Sequence, residues 1–162
     1  MNENVCLLAE QTVKQLNEKS MKIATAESCT GGLLAAYLTA VPGVSSVFEL
    51  GITSYSCRIK HEVLGVNAET LDEYGAISHD TAAEMAENIK RISGADIGVS
   101  VTGAAGPDGS EGHAPGLVYI AAAYGTGTHI KELNIEPLGR SYVREQAVKE
   151  VLKLVIECIE EC

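Results

Sequence analysis

The sequence predicts an α/β protein, one layered domain over residues 1–162 with a central, mostly parallel sheet, an antiparallel hairpin and helices on both faces. Three observations carry this reading. Segments of helical period alternate with short apolar runs along the whole chain, the pattern of helices layered on a sheet. Apolar residues make up 46% of the chain but aromatics only 4%, with no Trp and one Phe. The core is therefore Val, Ile, Leu and Ala, which suits a parallel sheet covered by helices. Finally, only Gly125-Thr126-Gly127 separates the apolar run Leu117–Tyr124 from a strand near 128–135, a connection short enough to demand a hairpin.

Val5, Leu8, Val13 and Leu16 recur at helical spacing through residues 4–19, an amphipathic helix. A strand over 22–26 and a helix over 31–40 follow, closed by the turn signal Val41-Pro42-Gly43. Residues 46–55 read as a strand, and the polar stretch from Ser56 starts a short helix. Glu69 to Tyr74 reads as another, ended by Gly75. Ser78 caps a longer helix over 79–92 that Gly94 terminates. Ala95–Val101 is a continuous apolar strand, and 102–116 is a glycine-rich loop containing Pro107 and Pro115. The last helix, 140–160, carries Val143, Ala147, Val151, Leu152, Val155 and Ile159 on one face. That face makes self-association, as a dimer, an expectation.

Net charge is −10. Such a field repels a phosphate backbone and an anionic lipid surface, which argues against nucleic acid and membrane partners. The scarcity of aromatics also removes a base-stacking platform. The five cysteines, Cys6, Cys29, Cys57, Cys158 and Cys162, are odd in number and form no Cys-x-x-Cys. Neither a disulfide framework nor a zinc site is expected, and a reducing cytoplasm suits them. Met1-Asn2-Glu3-Asn4 lacks a basic segment followed by an apolar run, so no signal peptide is expected. His61, His79, His113 and His129 are scattered without metal-ligand spacing, and no Walker-type or dinucleotide glycine motif occurs.

Four groups carry candidate chemistry. Thr25-Ala26-Glu27-Ser28-Cys29-Thr30-Gly31-Gly32 ends a strand and opens a helix. Ser28 and Thr30 there either cap the helix or stand beside its free N–H groups, where an anion or oxyanion would be stabilised. Tyr55-Ser56-Cys57-Arg58-Ile59-Lys60 lies at a strand end, the edge where open α/β sheets place their sites. A serine near a lysine is a nucleophile–base arrangement. For it to work near neutrality the lysine must lose about 3 units from 10.4, through burial or a neighbouring cation. The loop Thr102-Gly103-Ala104-Ala105-Gly106-Pro107-Asp108-Gly109 follows a buried strand, and a loop this long in a small domain points to function. Arg140 and Arg144 share a face of the last helix's first turn. Cations are unfavourable there, a conflict that a bound phosphate or a pairing with Glu136 or Glu145 would relieve.

Together these blocks resemble the CinA C-terminal domain family, over roughly residues 5–160. The first block matches its signature, and Tyr55-Ser56 with Lys60, the 102–107 loop, and Arg140 with Arg144 follow in the same order. The resemblance does not extend to the further N-terminal domain of full-length CinA proteins. It implies an amidase of pyridine nucleotide recycling, which hydrolyses nicotinamide mononucleotide to nicotinate mononucleotide and ammonia without metal or organic cofactor. Carried onto this chain, it makes Ser28 the nucleophile and Lys60 the base, with Tyr55 assisting. Thr30, Gly31, Gly32, Thr102, Gly103, Ala105 and Gly106 line the ligand site, and Arg140 or Arg144 holds the phosphate. It also implies a homo-oligomer. Two positions depart from the family pattern, Cys57 where Asn is usual and His113 where Lys is usual. They open a second function class, a relative that binds a pyridine nucleotide or related phosphate with little or no turnover.

Overall fold

The computed structural model describes residues 1–161; Cys162 lies outside them. Five strands form one sheet in the order β2-β1-β3-β4-β5: β1 (Ile23–Glu27), β2 (Phe48–Thr53), β3 (Ile97–Gly103), β4 (Leu117–Tyr124) and β5 (Gly127–Asn134). β1 pairs in parallel with both β2 and β3, while β4 is antiparallel to β3 and to β5. Only β4 therefore opposes the common direction. The expected hairpin is the β4–β5 pair, with Tyr124 opposite Gly127 at its turn. Among the described residues six α-helices complete the fold, α1 (Glu3–Glu18), α2 (Leu33–Thr39), α3 (Cys57–Glu62), α4 (Ala68–Tyr74), α5 (His79–Ser93) and α6 (Arg140–Glu161), with one 3₁₀ turn at Val44–Ser46.

Strand alternation sorts the core into two layers. Ile23, Ile97, Val99, Val101, Val118 and Ile120 face one way and pack with α1, α2 and α6. Ala24, Ala26, Ala121 and Ala123 face the other way, toward α5. Where α5 crosses β1, β3 and β4 this second face carries small residues, Ala24, Ala26, Gly98, Ser100, Ala121 and Ala123, so α5 lies unusually close. A Cβ on Gly98 would stand 2.3 Å from the Ala86 carbonyl oxygen, and Ser100 Oγ donates to the Ala82 carbonyl at 2.6 Å.

The caps of α5 follow the expectation. Ser78 accepts from Thr81 N–H at 3.1 Å, and Gly94 closes the helix in a left-handed conformation. The apolar face of α6 is buried within the chain: Val143, Ala147, Val151, Leu152, Val155 and Ile159 are all at most 1% exposed. It is covered by α1 and the sheet, so it does not supply the self-association surface that the sequence suggested. Among the described residues no helix is long and apolar enough to cross a membrane.

Candidate active site

The ends of β1 and β3 point into a cavity of about 390 Å³, lined among others by Ser28, Tyr55, Lys60, Thr102, Asp108 and Arg140. Ser28 prolongs β1 by one residue, its N–H donating to the Val101 carbonyl at 2.9 Å. Strand alternation places it on the α5 side, in line with Ala24 and Ala26.

Lys60 is fully buried. Ser56 starts its helix, α3, by accepting from Ile59 N–H at 3.3 Å. Lys60 Nζ donates to Ser28 Oγ at 2.9 Å, to the Ser54 carbonyl at 2.8 Å and to the Tyr55 carbonyl at 3.5 Å. All three partners are uncharged. Burial lowers the Lys60 pKa, opposed more weakly by the Cys57 and Cys29 thiols and the Glu111 carboxylate. Cys29, beside Ser28, is also buried, and burial pushes its thiol up to about 11. It stays protonated at neutral pH, the less reactive form of a thiol.

Two further connections shape the cavity. Thr102 Oγ1 donates to the Ala76 carbonyl at 2.6 Å, and the Glu111 carboxylate accepts from Ala76 and Ile77 N–H at 2.9 and 3.1 Å. These bonds fasten the glycine-rich loop to the α4–α5 connection. At the mouth, Arg140 donates to the Gly106 carbonyl and to the Tyr55 hydroxyl, both at 2.8 Å. Asp108 and Glu111 line the same cavity as Lys60 and Arg140, so charges of both signs face it.

Not every expected site residue comes to this place. Ser28, Tyr55, Lys60, Thr102, Gly103, Ala105, Gly106 and Arg140 line the cavity, whereas Thr30, Gly31, Gly32 and Arg144 do not. Arg144 instead donates to the Thr30 carbonyl at 2.6 Å, behind the Ser28 turn. Neither arginine pairs with Glu136 or Glu145; Glu145 accepts from the Tyr37 hydroxyl at 3.2 Å. His113 also lies outside the cavity lining, its backbone paired with Ser110.

The helix-cap expectation is corrected outright. Neither Ser28 nor Thr30 caps α2; Gly32 precedes that helix in a left-handed conformation without a side-chain cap of its own. The donors go to Glu27, whose carboxylate accepts from the N–H groups of Gly32, Leu34 and Ala35 at 3.1, 3.0 and 2.9 Å. Those amides are thus closed to an anion. Glu27 and Glu111 were not singled out from sequence. For Glu27 a signal existed, a carboxylate closing the otherwise uncharged strand run Ile23–Glu27. Glu111 offered none, its partners lying 34 and 35 residues away.

A five-stranded α/β sheet with a Ser–Lys pair at its strand ends defines the class of this protein. The model of the CinA C-terminal domain matches residues 6–159. A protein named competence-damage inducible in Acetivibrio thermocellus is 50% identical over 143 residues, which cover 88% of this chain and 34% of the relative. One of the same name in Clostridium novyi is 46% identical over 90% of this chain and 35% of its own length. The chain thus spans about a third of the curated relatives it matches. Among solved structures, a CinA superfamily protein from Klebsiella pneumoniae superimposes with a TM-score of 0.95 at 31% identity, covering 100% of both chains. A competence/damage inducible protein from Agrobacterium tumefaciens gives 0.93 at 35% identity, covering 97% of this chain and 96% of that one. The chain belongs to the CinA C-terminal domain family.

Proposed function

We propose that the protein is a nicotinamide-nucleotide amidase, converting nicotinamide mononucleotide and water to nicotinate mononucleotide and ammonia. The observation that carries this reading is the buried lysine held at 2.9 Å from a serine hydroxyl by neutral partners. A lysine so desolvated is biased toward the neutral amine, the form that can take a proton.

The reaction follows from that pair. Neutral Lys60 accepts the Ser28 proton as Oγ bonds to the carboxamide carbon. The developing oxyanion needs N–H donors that are not already engaged. In the turn, Gly31, Gly32 and Leu33 N–H are taken and Thr30 lies outside the cavity lining, so the amide of Cys29, which lines it, is assigned this part. The Lys60 ammonium then protonates the amide nitrogen, the C–N bond breaks and ammonia leaves. Water adds to the acyl-serine, Lys60 taking its proton, and Ser28 Oγ departs and is reprotonated. At the mouth, Arg140 meets no carboxylate among the described residues and is suited to a phosphate, with Tyr55 holding it in place through the hydroxyl. Asp108 and Glu111 offset a cationic pyridinium ring.

The test is ammonia release from nicotinamide mononucleotide by the purified protein beside a Ser28→Ala control. Serine-dependent release supports the amidase. No release at saturating nucleotide refutes it; a nucleotide-induced rise in melting temperature would then leave the binding protein.

A further inference from the structure

Glu27 and Lys60 are the two fully buried charged side chains among the described residues, at 1% and 0% exposure. They lie on either side of Ser28. Alternation along β1 turns Glu27 toward α2 and Ser28 toward the cavity. Among the described residues Glu27 makes no hydrogen bond to a side chain; its partners are the backbone amides of Gly32, which ends the Ser28 turn, and of Leu34 and Ala35 in α2. Arg144 reaches the same turn from α6 and donates to the Thr30 carbonyl. The 28–32 turn is therefore held by a carboxylate acceptor from β1 and by a guanidinium donor from α6. Within it, Gly31 N–H closes on the Ser28 carbonyl at 3.0 Å.

We infer that Glu27, assisted by Arg144, is a positioning residue for Ser28. The inference rests on Ser28 being the nucleophile. Ser28 sits one residue past the last paired position of β1, where, among the described residues, Lys60 is the side chain hydrogen-bonded to its hydroxyl. Charge-assisted bonds to backbone N–H are stronger than neutral ones, and three of them at one carboxylate fix the distance from the strand end to α2. The turn between is thereby kept at one length and one orientation. Its Cys29 amide stays out of the helix ladder, and Ser28 Oγ stays at Lys60. Glu27 also satisfies the α2 N-terminus with a resident anion, so the first turn of α2 plays no part in holding substrate.

The experiment uses the intact protein, its Glu27→Gln and Glu27→Ala variants, and a fluorophosphonate, which is attacked by a reactive serine and loses fluoride. Glutamine keeps the length but presents an NH₂ to at least one of the three amides. The expected result is Ser28 labelling and kcat lowered by about tenfold or more, the scale of a small misplacement of reacting groups. KM for nicotinamide mononucleotide should be unchanged, since Arg140 is untouched, and the acid limb of the pH profile set by Lys60 should shift. Hydrogen exchange on the wild-type protein supplies the measurement that needs no variant. Gly32, Leu34 and Ala35 amides, which face solvent in an ordinary first helical turn, should exchange at least about 100-fold slower than free amides.

Rapid exchange at these amides overturns the inference. So does a Glu27→Gln protein that melts lower yet labels and turns over at the wild-type rate, because Glu27 would then be structural only. Wild-type protein that neither labels at Ser28 nor releases ammonia overturns the nucleophile reading, and the positioning role falls with it.

Discussion

Lys60 Nζ stands 2.9 Å from Ser28 Oγ although the two residues are 32 apart in sequence. The contact exists because β1 and β2 are adjacent and parallel, so that their carboxyl ends, and the helices they feed, meet at one edge. Replacing Lys60 by Met or Arg should lower kcat by about 10²–10⁴-fold, the usual contribution of a general base, with little change in KM. Arginine fails because it stays protonated. Rate measurements from neutral to alkaline pH check the wild type: kcat/KM should rise with pH and level off at a midpoint below 10.5, the direction in which burial moves Lys60.

The same shift makes a stability prediction of defined sign. The folded-state pKa of Lys60 lies below 10.5, so between that value and 10.5 the unfolded chain binds more protons than the native one. Stability must then rise with pH across this window. Below it, where Lys60 is charged in both states, the burial penalty is constant and complete. Denaturant unfolding of wild type and Lys60→Met across pH should show the wild type gaining relative to the variant through this window. A constant difference between the two would show that Lys60 titrates as an ordinary exposed lysine.

Cys57 is exposed and lines the cavity as the first residue of α3, whereas Cys29 is buried with its thiol raised to about 11. Iodoacetamide near neutral pH should therefore modify Cys57, spare Cys29 and block turnover. The block should be absent in Cys57→Ser, and peptide mass spectrometry reads the sites directly. Cys57→Asn places amide donors beside Lys60 and should raise kcat, by up to about 10²-fold if they reach the oxyanion. An unchanged kcat would show that the thiol is no handicap to turnover.

The fold was largely legible because its signals are local. Ser78 and Gly94 mark the ends of α5, and the 125–126 turn joins two strands at a distance that only a hairpin can close. The start of α2 moved from 31 to Leu33 because Gly31 and Gly32 both take positive φ, +58° and +91°. The site was legible as blocks and not as contacts. Arg140 and Arg144 share a helix face, but one turn of α6 separates a residue at the cavity mouth from one behind the Ser28 turn. His113 stands in the loop that forms the cavity wall, yet the Ser110–His113 bridge keeps it out of the lining. Which side of a sheet or loop a residue reaches depends on strand order and loop folding, and residue spacing does not encode either.

The split between the arginines has a kinetic consequence. Arg140→Ala should raise KM for the nucleotide by roughly 10–100-fold, the value of a charged hydrogen bond of about 1.5–3 kcal/mol, and leave kcat within a few-fold. Arg144→Ala should instead lower kcat with KM little changed, because Arg144 touches the turn and not the cavity. Steady-state kinetics on the two variants separates the effects, and the opposite pattern would exchange their assignments.

The close approach of α5 leaves no room for one added methyl group on Gly98. A Cβ on Gly98 would lie 2.3 Å from Ala86 O, 2.6 Å from Lys90 Cβ and 2.7 Å from Lys90 N. Two of these are backbone atoms, so relief requires α5 to move away from β3. Overpacking of this kind costs about 1–3 kcal/mol, or roughly 2–12 °C in Tm for a domain of this size. Gly127, where a Cβ meets nothing within 4 Å, is the control, and Gly127→Ala should leave Tm within about 2 °C. Because α5 follows the segment that anchors Thr102 and Glu111, Gly98→Ala should also slacken the cavity wall. Calorimetry together with KM for the nucleotide on the two variants tests both effects, and a Gly98→Ala protein that melts with the wild type would show that α5 is free to slide on the sheet.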